Sequence, residues 1–353
     1  MQPKTHFLLL DFLKVFAALL IILHHLSSYG QIAQDARQVL PIIMTWLFEY
    51  GRYAVQILLV LAGYLAAQSL SRYANDKFSA HRLLNAILNR YLRLFAPYVA
   101  ALILTIACAY IARFWVSDEF VGESETLSQF LAHLFLIQGI LGLDSISAGA
   151  WYIAIDWQLY SVLAILLISF PRYQAAIWVI SVLAVSSLLF FNRSGLYEAY
   201  FIYFIGSYGL GVLAYLGKHF DNQSVNRLAK IVLLLIGLII AISSFEQIWL
   251  RNFLAWFVAM ALLYWGDKPY PAQAGSQVAL HAIAWGSQRS YCAFLIHFAF
   301  ILLANMLYIA SSLNAQRSGA LAIIFMLGVV GCSMIAANYL YRWIEVPALR
   351  LKI

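Results

Sequence analysis

Ten sustained apolar runs recur along the chain, near residues 7–29, 50–70, 84–112, 150–170, 174–191, 197–216, 229–245, 250–266, 290–311 and 319–343. A helix rises about 1.5 Å per residue, so about 20 apolar residues cross a hydrocarbon core about 30 Å thick. Lipid offers no partner to an unpaired backbone N–H or C=O, so such runs must be helices. The expected fold is therefore an all-α integral membrane protein: a bundle of about ten transmembrane helices, read as one domain over residues 1–353. Composition agrees, with 10% charged residues and 64% apolar ones, against about 25% charged in a soluble domain. The same numbers exclude a disordered chain, a nucleic-acid binder with an exposed basic face and a disulfide-stapled secreted domain. No segment between the runs is long enough for a soluble catalytic domain, so any chemistry belongs in the membrane body or at its mouths.

Charge decides the topology. The run 127–143 contains Gln129, His133 and Gln138 and leads into a glycine- and serine-rich stretch; counting it gives eleven spans. With ten spans and the N-terminus in the cytoplasm, the inner loops carry Arg72, Lys77, Arg82, Arg90, Arg93, Arg172, Lys218, Arg227, Lys230, Lys268, Arg289, Arg342, Arg350 and Lys352. The outer loops then carry Asp35, Glu49, Asp118, Glu119, Glu123, Glu125 and Glu246, with a few arginines. Cytoplasmic loops are rich in Lys and Arg, so ten spans with both termini inside are expected. Segment 127–149 is then a short amphipathic or re-entrant piece roofing the outer side. The first run, behind Lys4, looks like a signal peptide but lacks a small-x-small cleavage site, and reads as a retained span. Tyr50, Tyr53, Tyr98, Trp115, Trp249 and Tyr264 fall near span ends, as an interfacial aromatic belt would. Cys108, Cys292 and Cys332 stand alone in apolar runs and read as small buried hydrophobes.

Ionisable side chains inside spans are costly and mark function by default. The first span holds Asp11, Lys14, His24 and His25. At about 100° per residue, Lys14 and His25 differ by about 20° and Asp11 joins their side, whereas His24 turns away. The two ends of this track are about 16 Å apart along the axis. Asp156, one turn before Tyr160, starts another span at an expected depth close to that of His25. A carboxylate there would fix an imidazole tautomer, and the imidazole would take a hydroxyl proton. Arg90 and Arg93, at i and i+3, read as the start of the third span, where both can grip a phosphate. His297 and Glu345 read as members of the same inner cluster. A polar stripe that glues helices, a helix-capping Asp156, arginines on lipid headgroups and a packing His297 are the structural alternatives. Gly206-Ser-Tyr-Gly209-Leu-Gly211 has the wrong spacing for a dinucleotide turn and reads as close helix packing. No metal-ligand spacing, nucleophile elbow or phosphate-binding loop is present.

In this order, these residues resemble membrane acyltransferase family 3, over nearly the whole chain. Lys14 and His25 stand where the family has an arginine and a histidine with ten residues between them, after Asp11. Gly51 to Tyr64 is similar to its Phe-Phe-Val-Leu-Ser-Gly-Phe element, and Arg90 to Pro97 to Arg-x-x-Arg-x-x-x-Pro. Trp151 to Tyr160 resembles Trp-Ser-Leu-x-x-Glu-x-x-x-Tyr. Ser290-Tyr291 to His297 resembles Ser-Tyr-x-x-Tyr-Leu-x-His, and Glu345 with Pro347 the closing Glu-Arg-Pro. Three positions depart. Lys14 keeps the charge without the arginine fork, Asp156 is one methylene shorter than glutamate, and Ala62 replaces a serine.

The resemblance implies transfer of an acyl group, usually acetyl, from cytoplasmic acyl-CoA to a hydroxyl of a cell-envelope carbohydrate, in a bacterial inner or plasma membrane. It implies His25, Asp156 and Lys14 in catalysis, and Arg90, Arg93, Tyr291 and His297 at the donor. Asp11, Trp151, Tyr160 and Glu345 support them. Acetyl-CoA enters as a substrate, with no permanently bound cofactor and no metal. The bilayer, acyl-CoA and a carbohydrate acceptor are the expected partners, and a homodimer or a separate transferase partner remains open. The Lys14–His25 track is about as long as a pantetheine arm, so a continuous cavity between the two is expected. The competing reading from another class is a transporter or flippase using the same polar track.

Overall fold

The computed structural model describes residues 7–73, 77–116, 119–170, 173–243, 247–269, 277–310 and 318–350. Lys4, Asp118, Arg172, Glu246 and Lys352 lie outside the described residues, as do the side chains of Glu119 and Trp249. The helices are α1 (Leu8–Ser28), α2 (Gly30–Val39), α3 (Pro41–Tyr50), α4 (Ala54–Leu70), α5 (Ala80–Ala112), α6 (Leu127–Leu134) and α7 (Ala150–Ser169). They continue as α8 (Tyr173–Leu189), α9 (Phe201–His219), α10 (Gln223–Ser243), α11 (Gln247–Trp265), α12 (Gln277–Ala310) and α13 (Gly319–Leu340). A π-helical turn, Tyr341–Glu345, follows α13.

Nine helical segments among the described residues are long and apolar enough to cross a membrane, α3 and α4 counting as one. The shorter apolar stretch Leu250–Trp265 of α11 packs beside α4 and α9. Together they occupy the positions of the ten apolar runs, so the protein is an all-α polytopic membrane protein. The outward faces are apolar: Leu238 on α10, Val182 on α8 and Leu327 on α13 are exposed, as lipid-facing residues should be.

Segment 127–143 does not span. It forms only the eight-residue α6, closed at its start by a reciprocal capping box between Thr126 and Gln129. Turns follow, and Leu136 takes the left-handed conformation at φ 59°. His133 fastens this roof. Its Nδ1 donates to the Gln129 carbonyl (2.8 Å) and its Nε2 accepts the Ile146 amide N–H (3.1 Å).

Close packing sets the centre of the bundle. A Cβ on Gly63 would come within 2.0 Å of the Tyr208 carbonyl, and one on Gly211 within 2.0 Å of the Val60 carbonyl. Only glycine lets α4 and α9 meet backbone to backbone in this way. Ser207 Oγ donates to Gln56 Oε1 (2.5 Å) across the same seam. Two of the expected belt residues belong to the interior instead: Tyr53 and Tyr98 are buried, whereas Trp115 and Tyr264 are exposed. Cys332 is exposed on α13 rather than buried.

Candidate active site

Two polar centres lie along the bundle, one at the Lys14 level and one at the His25 level. The first is built around Asp156, which is 3% exposed on α7. A buried carboxylate is tolerated only when paired, and its partner is Arg90 of α5. Arg90 Nη2 and Nε both donate to Asp156 Oδ2, at 2.6 and 3.1 Å. The Tyr160 ring lies 5.2 Å under the same guanidinium. Lys14, Arg90, Arg93, Asp156, Tyr291 and Glu345 together line a cavity of about 180 Å³.

Three neighbours order this cavity. Tyr291 donates to the Leu94 carbonyl (3.0 Å), next to the Arg93 carbonyl that Pro97 deprives of its helical partner. Cys292 donates its thiol to Glu345 (3.0 Å), so it is more than a packing residue. Asp11 accepts from Ser287 (2.5 Å) and lies 3.8 Å from Lys14.

The second centre is a pair of histidines. His25 Nδ1 and His297 Nε2 are 2.6 Å apart, with stacked rings 5.0 Å between centroids. His297 Nδ1 lies 2.7 Å from the Phe294 carbonyl. A carbonyl only accepts, so His297 carries its proton on Nδ1. Neutral His297 then offers a lone pair at Nε2, and His25 must donate from Nδ1. The remaining nitrogen of neutral His25, Nε2, is left as a proton acceptor. His25 lines a cavity of about 640 Å³ with Tyr29, Trp151 and Phe298, beneath the roof segment. His24 turns away and bonds the Leu47 carbonyl (3.0 Å).

This arrangement corrects four expectations. Asp156 does not orient His25: its partner is Arg90, and it lies in the other cavity. His297 is not part of the donor cluster, because α12 starts at Gln277 and carries His297 about 30 Å along its axis to His25. Arg90 and Arg93 do not begin a span; they sit about 15 and 20 Å into the 33-residue α5. Arg289 belongs to no loop, being 6% exposed within α12 and stacked on Trp285 and Tyr341.

The cavity holding Lys14 and the one holding His25 share no lining residue. Phe294 lines the first, its carbonyl holds His297, and its ring packs on Tyr152 at 5.4 Å. The Lys14 and His25 ends of the expected track thus lie in two separate cavities in this structure. The pairing of His25 with His297 escaped the sequence reading, although its signal was present. No proline interrupts residues 277–310, and one continuous helix there places His297 deep in the membrane.

The fold is thus a polytopic helical bundle with a buried Arg–Asp pair and a tautomer-fixed pair of histidines inside it. The chain matches the acyltransferase domain family over residues 7–338 and belongs to that family. It is a multi-pass membrane acyltransferase, and this membership does not favour the transporter reading. No curated protein and no solved structure shows significant similarity to it.

Proposed function

We propose that the protein moves an acyl group, acetyl in the simplest case, from cytoplasmic acyl-CoA to a hydroxyl of a cell-envelope or exported carbohydrate in a bacterial inner membrane. The observation that carries this reading is the His25–His297 relay, anchored on the Phe294 carbonyl and opening on a large cavity. His25 Nε2 takes the proton of the acceptor hydroxyl. The hydroxyl oxygen bonds to the thioester carbonyl carbon, the C–S bond breaks, and the proton passes from His25 to the departing CoA thiolate. His297 replaces Asp156 as the group that fixes the imidazole. The Arg90–Asp156 pair holds α5 to α7, and Arg93 and Lys14 offer cations to the phosphates of the donor, whose acyl arm reaches His25 on displacement of the Phe294 ring that packs between Tyr152 and His297.

The test uses purified protein in lipid nanodiscs with radiolabelled acetyl-CoA and an envelope glycan fraction, following thiol release and label transfer. His25→Ala should lower turnover by about 10²- to 10⁴-fold, the usual worth of a positioned base. His297→Ala should lower kcat more than it raises KM, and the double variant should be no worse than His25→Ala alone, because the pair acts as a unit. Full transfer by His25→Ala protein would overturn the proposal.

A further inference from the structure

A third cavity, of about 610 Å³, is not used by the relay, and it is lined by Arg52, Arg193, Arg251, Gln138, Asn192 and Trp151 among others. It lies at the His25 end of the bundle, since Gly51, beside Arg52, packs on His24. Trp151 is common to its wall and to the wall of the His25 cavity. In the topology read from the sequence, this is the end where charge bias disfavours arginine. Other arginines here have local partners: Arg113 bonds Glu125 (2.6 Å), and Arg37 bonds the Ser27 carbonyl (3.3 Å). Arg52, Arg193 and Arg251 all line this one space, Arg251 with neutral partners only, and no carboxylate of the described residues lies within ion-pair distance of them. Arg251 is held in place by donating to the Tyr203 hydroxyl (3.1 Å) and the Asn192 carbonyl (2.8 Å). Glu198 is the lone carboxylate among the lining residues.

Two buried amides also line this cavity. Gln138 is 1% exposed, and its Oε1 has no hydrogen-bond partner. Its amide nitrogen points to the Ala150 carbonyl (3.4 Å), which leaves the oxygen without a donor. Asn192 is also buried, and its Oδ1 is likewise unpartnered. The orientation of Asn192 follows from a chain of donors. Asn252 Nδ2 must donate to the Leu188 carbonyl (3.1 Å), so Asn252 Oδ1 accepts from Asn192 Nδ2 (3.1 Å). Two buried acceptors without donors are a standing cost.

We propose that this cavity is the acceptor subsite and that it takes a saccharide carrying an anionic group, either a carboxylate or a phosphate ester. The arginines meet the charge, the polar side chains of Gln138 and Asn192 line the same wall, and Trp151 divides the subsite from the His25 base. The assignment of this site to the acceptor rests on the acyltransferase reading.

The test uses wild-type protein in phosphatidylcholine nanodiscs, which lack competing anionic lipid. Equilibrium binding is measured for methyl glucuronide, glucose 6-phosphate and methyl glucoside, and separately for acetyl-CoA. The glucuronide and phosphate arms distinguish the two anions. The wild type should prefer an anionic sugar over methyl glucoside by about tenfold or more, as a charge-assisted hydrogen bond implies. Arg52→Gln and Arg193→Gln, both at exposed positions, should each reduce that preference and leave acetyl-CoA binding unchanged. The proposal is overturned if the anionic sugars bind no better than the glucoside, if the preference survives both variants, or if the variants lose acetyl-CoA instead. Label transfer measured in parallel tests the reaction by itself, because arginine-dependent sugar binding supports the site whether or not transfer is seen.

Discussion

Asp156 shows how a buried charge is read differently alone and in company. Taken alone, a carboxylate at the head of a span is a candidate partner for any nearby imidazole. In the folded chain it is 3% exposed and spends both Arg90 hydrogen bonds on one oxygen. Removing one member of such a pair strands the other charge, which costs about 3–5 kcal/mol, whereas removing both is close to neutral. Asp156→Ala is therefore expected to lower the melting temperature in detergent sharply, and Arg90→Leu with Asp156→Leu to recover most of the loss. A double variant as unstable as the single would show that the pair contributes more than mutual neutralisation. The residue types at this site were legible in the sequence, since ionisable groups inside spans are rare enough to stand out. Their partners were not, because which carboxylate meets which cation depends on helix depth and rotation that no local pattern encodes. Lys14 and His25 share a helix stripe, yet their cavities share no lining residue.

Helix existence was readable from apolar periodicity, but helix starts were not, and the misplaced partners follow from that. Helix α5 begins at Ala80 behind an N-capping Ser79, and α12 begins at Gln277, both ahead of their apolar runs. Polar first turns outside the hydrocarbon carry no hydropathy signal, so Arg90, Arg93 and His297 lie deeper than their distance from the run boundaries suggests. The roof over the His25 cavity is the opposite case. Its ambiguous hydropathy reflects a short helix fastened by one imidazole. Burial pushes His133 below its usual value of 6.5, and the neutral ring accepts the Ile146 N–H. Protonating Nε2 removes that acceptor. The depressed value means the unfolded roof binds the proton more readily than the folded one, so roof stability is complete above about 6.5 and declines as pH falls toward the lowered value. The protection factor of the Ile146 amide, corrected for the intrinsic pH dependence of exchange, should be flat above pH 6.5 and fall below it. In His133→Gln protein that pH step should vanish. An Ile146 amide whose protection ignores pH in the wild type would remove His133 from this role.

At the scale of the whole molecule, sidedness decides whether the three cavities can serve the proposed reaction. The Lys14 cavity and the inner basic loops share one end of the bundle. The His25 cavity, its roof and the three-arginine cavity share the other. An acyltransferase drawing on cytoplasmic acyl-CoA needs the first end inside, which is the orientation the loop charges favour. Helix packing alone is indifferent to this choice, since the same bundle could sit in the bilayer either way up. Single cysteines at exposed sites on the two ends decide it: Arg72→Cys follows α4 and Glu123→Cys precedes the roof helix. The background carries Cys108→Ala and Cys332→Ala, with Cys292→Ser because a hydroxyl keeps a donor for Glu345. A membrane-impermeant maleimide should label Glu123→Cys in intact cells and Arg72→Cys only after permeabilisation. The reverse pattern would place the His25 cavity in the cytoplasm, and a cytoplasmic base has no contact with an acceptor beyond the membrane. In that case the arginine-lined cavity would face the nucleotide-rich side, and its anionic ligand would have to be sought among cytoplasmic phosphates.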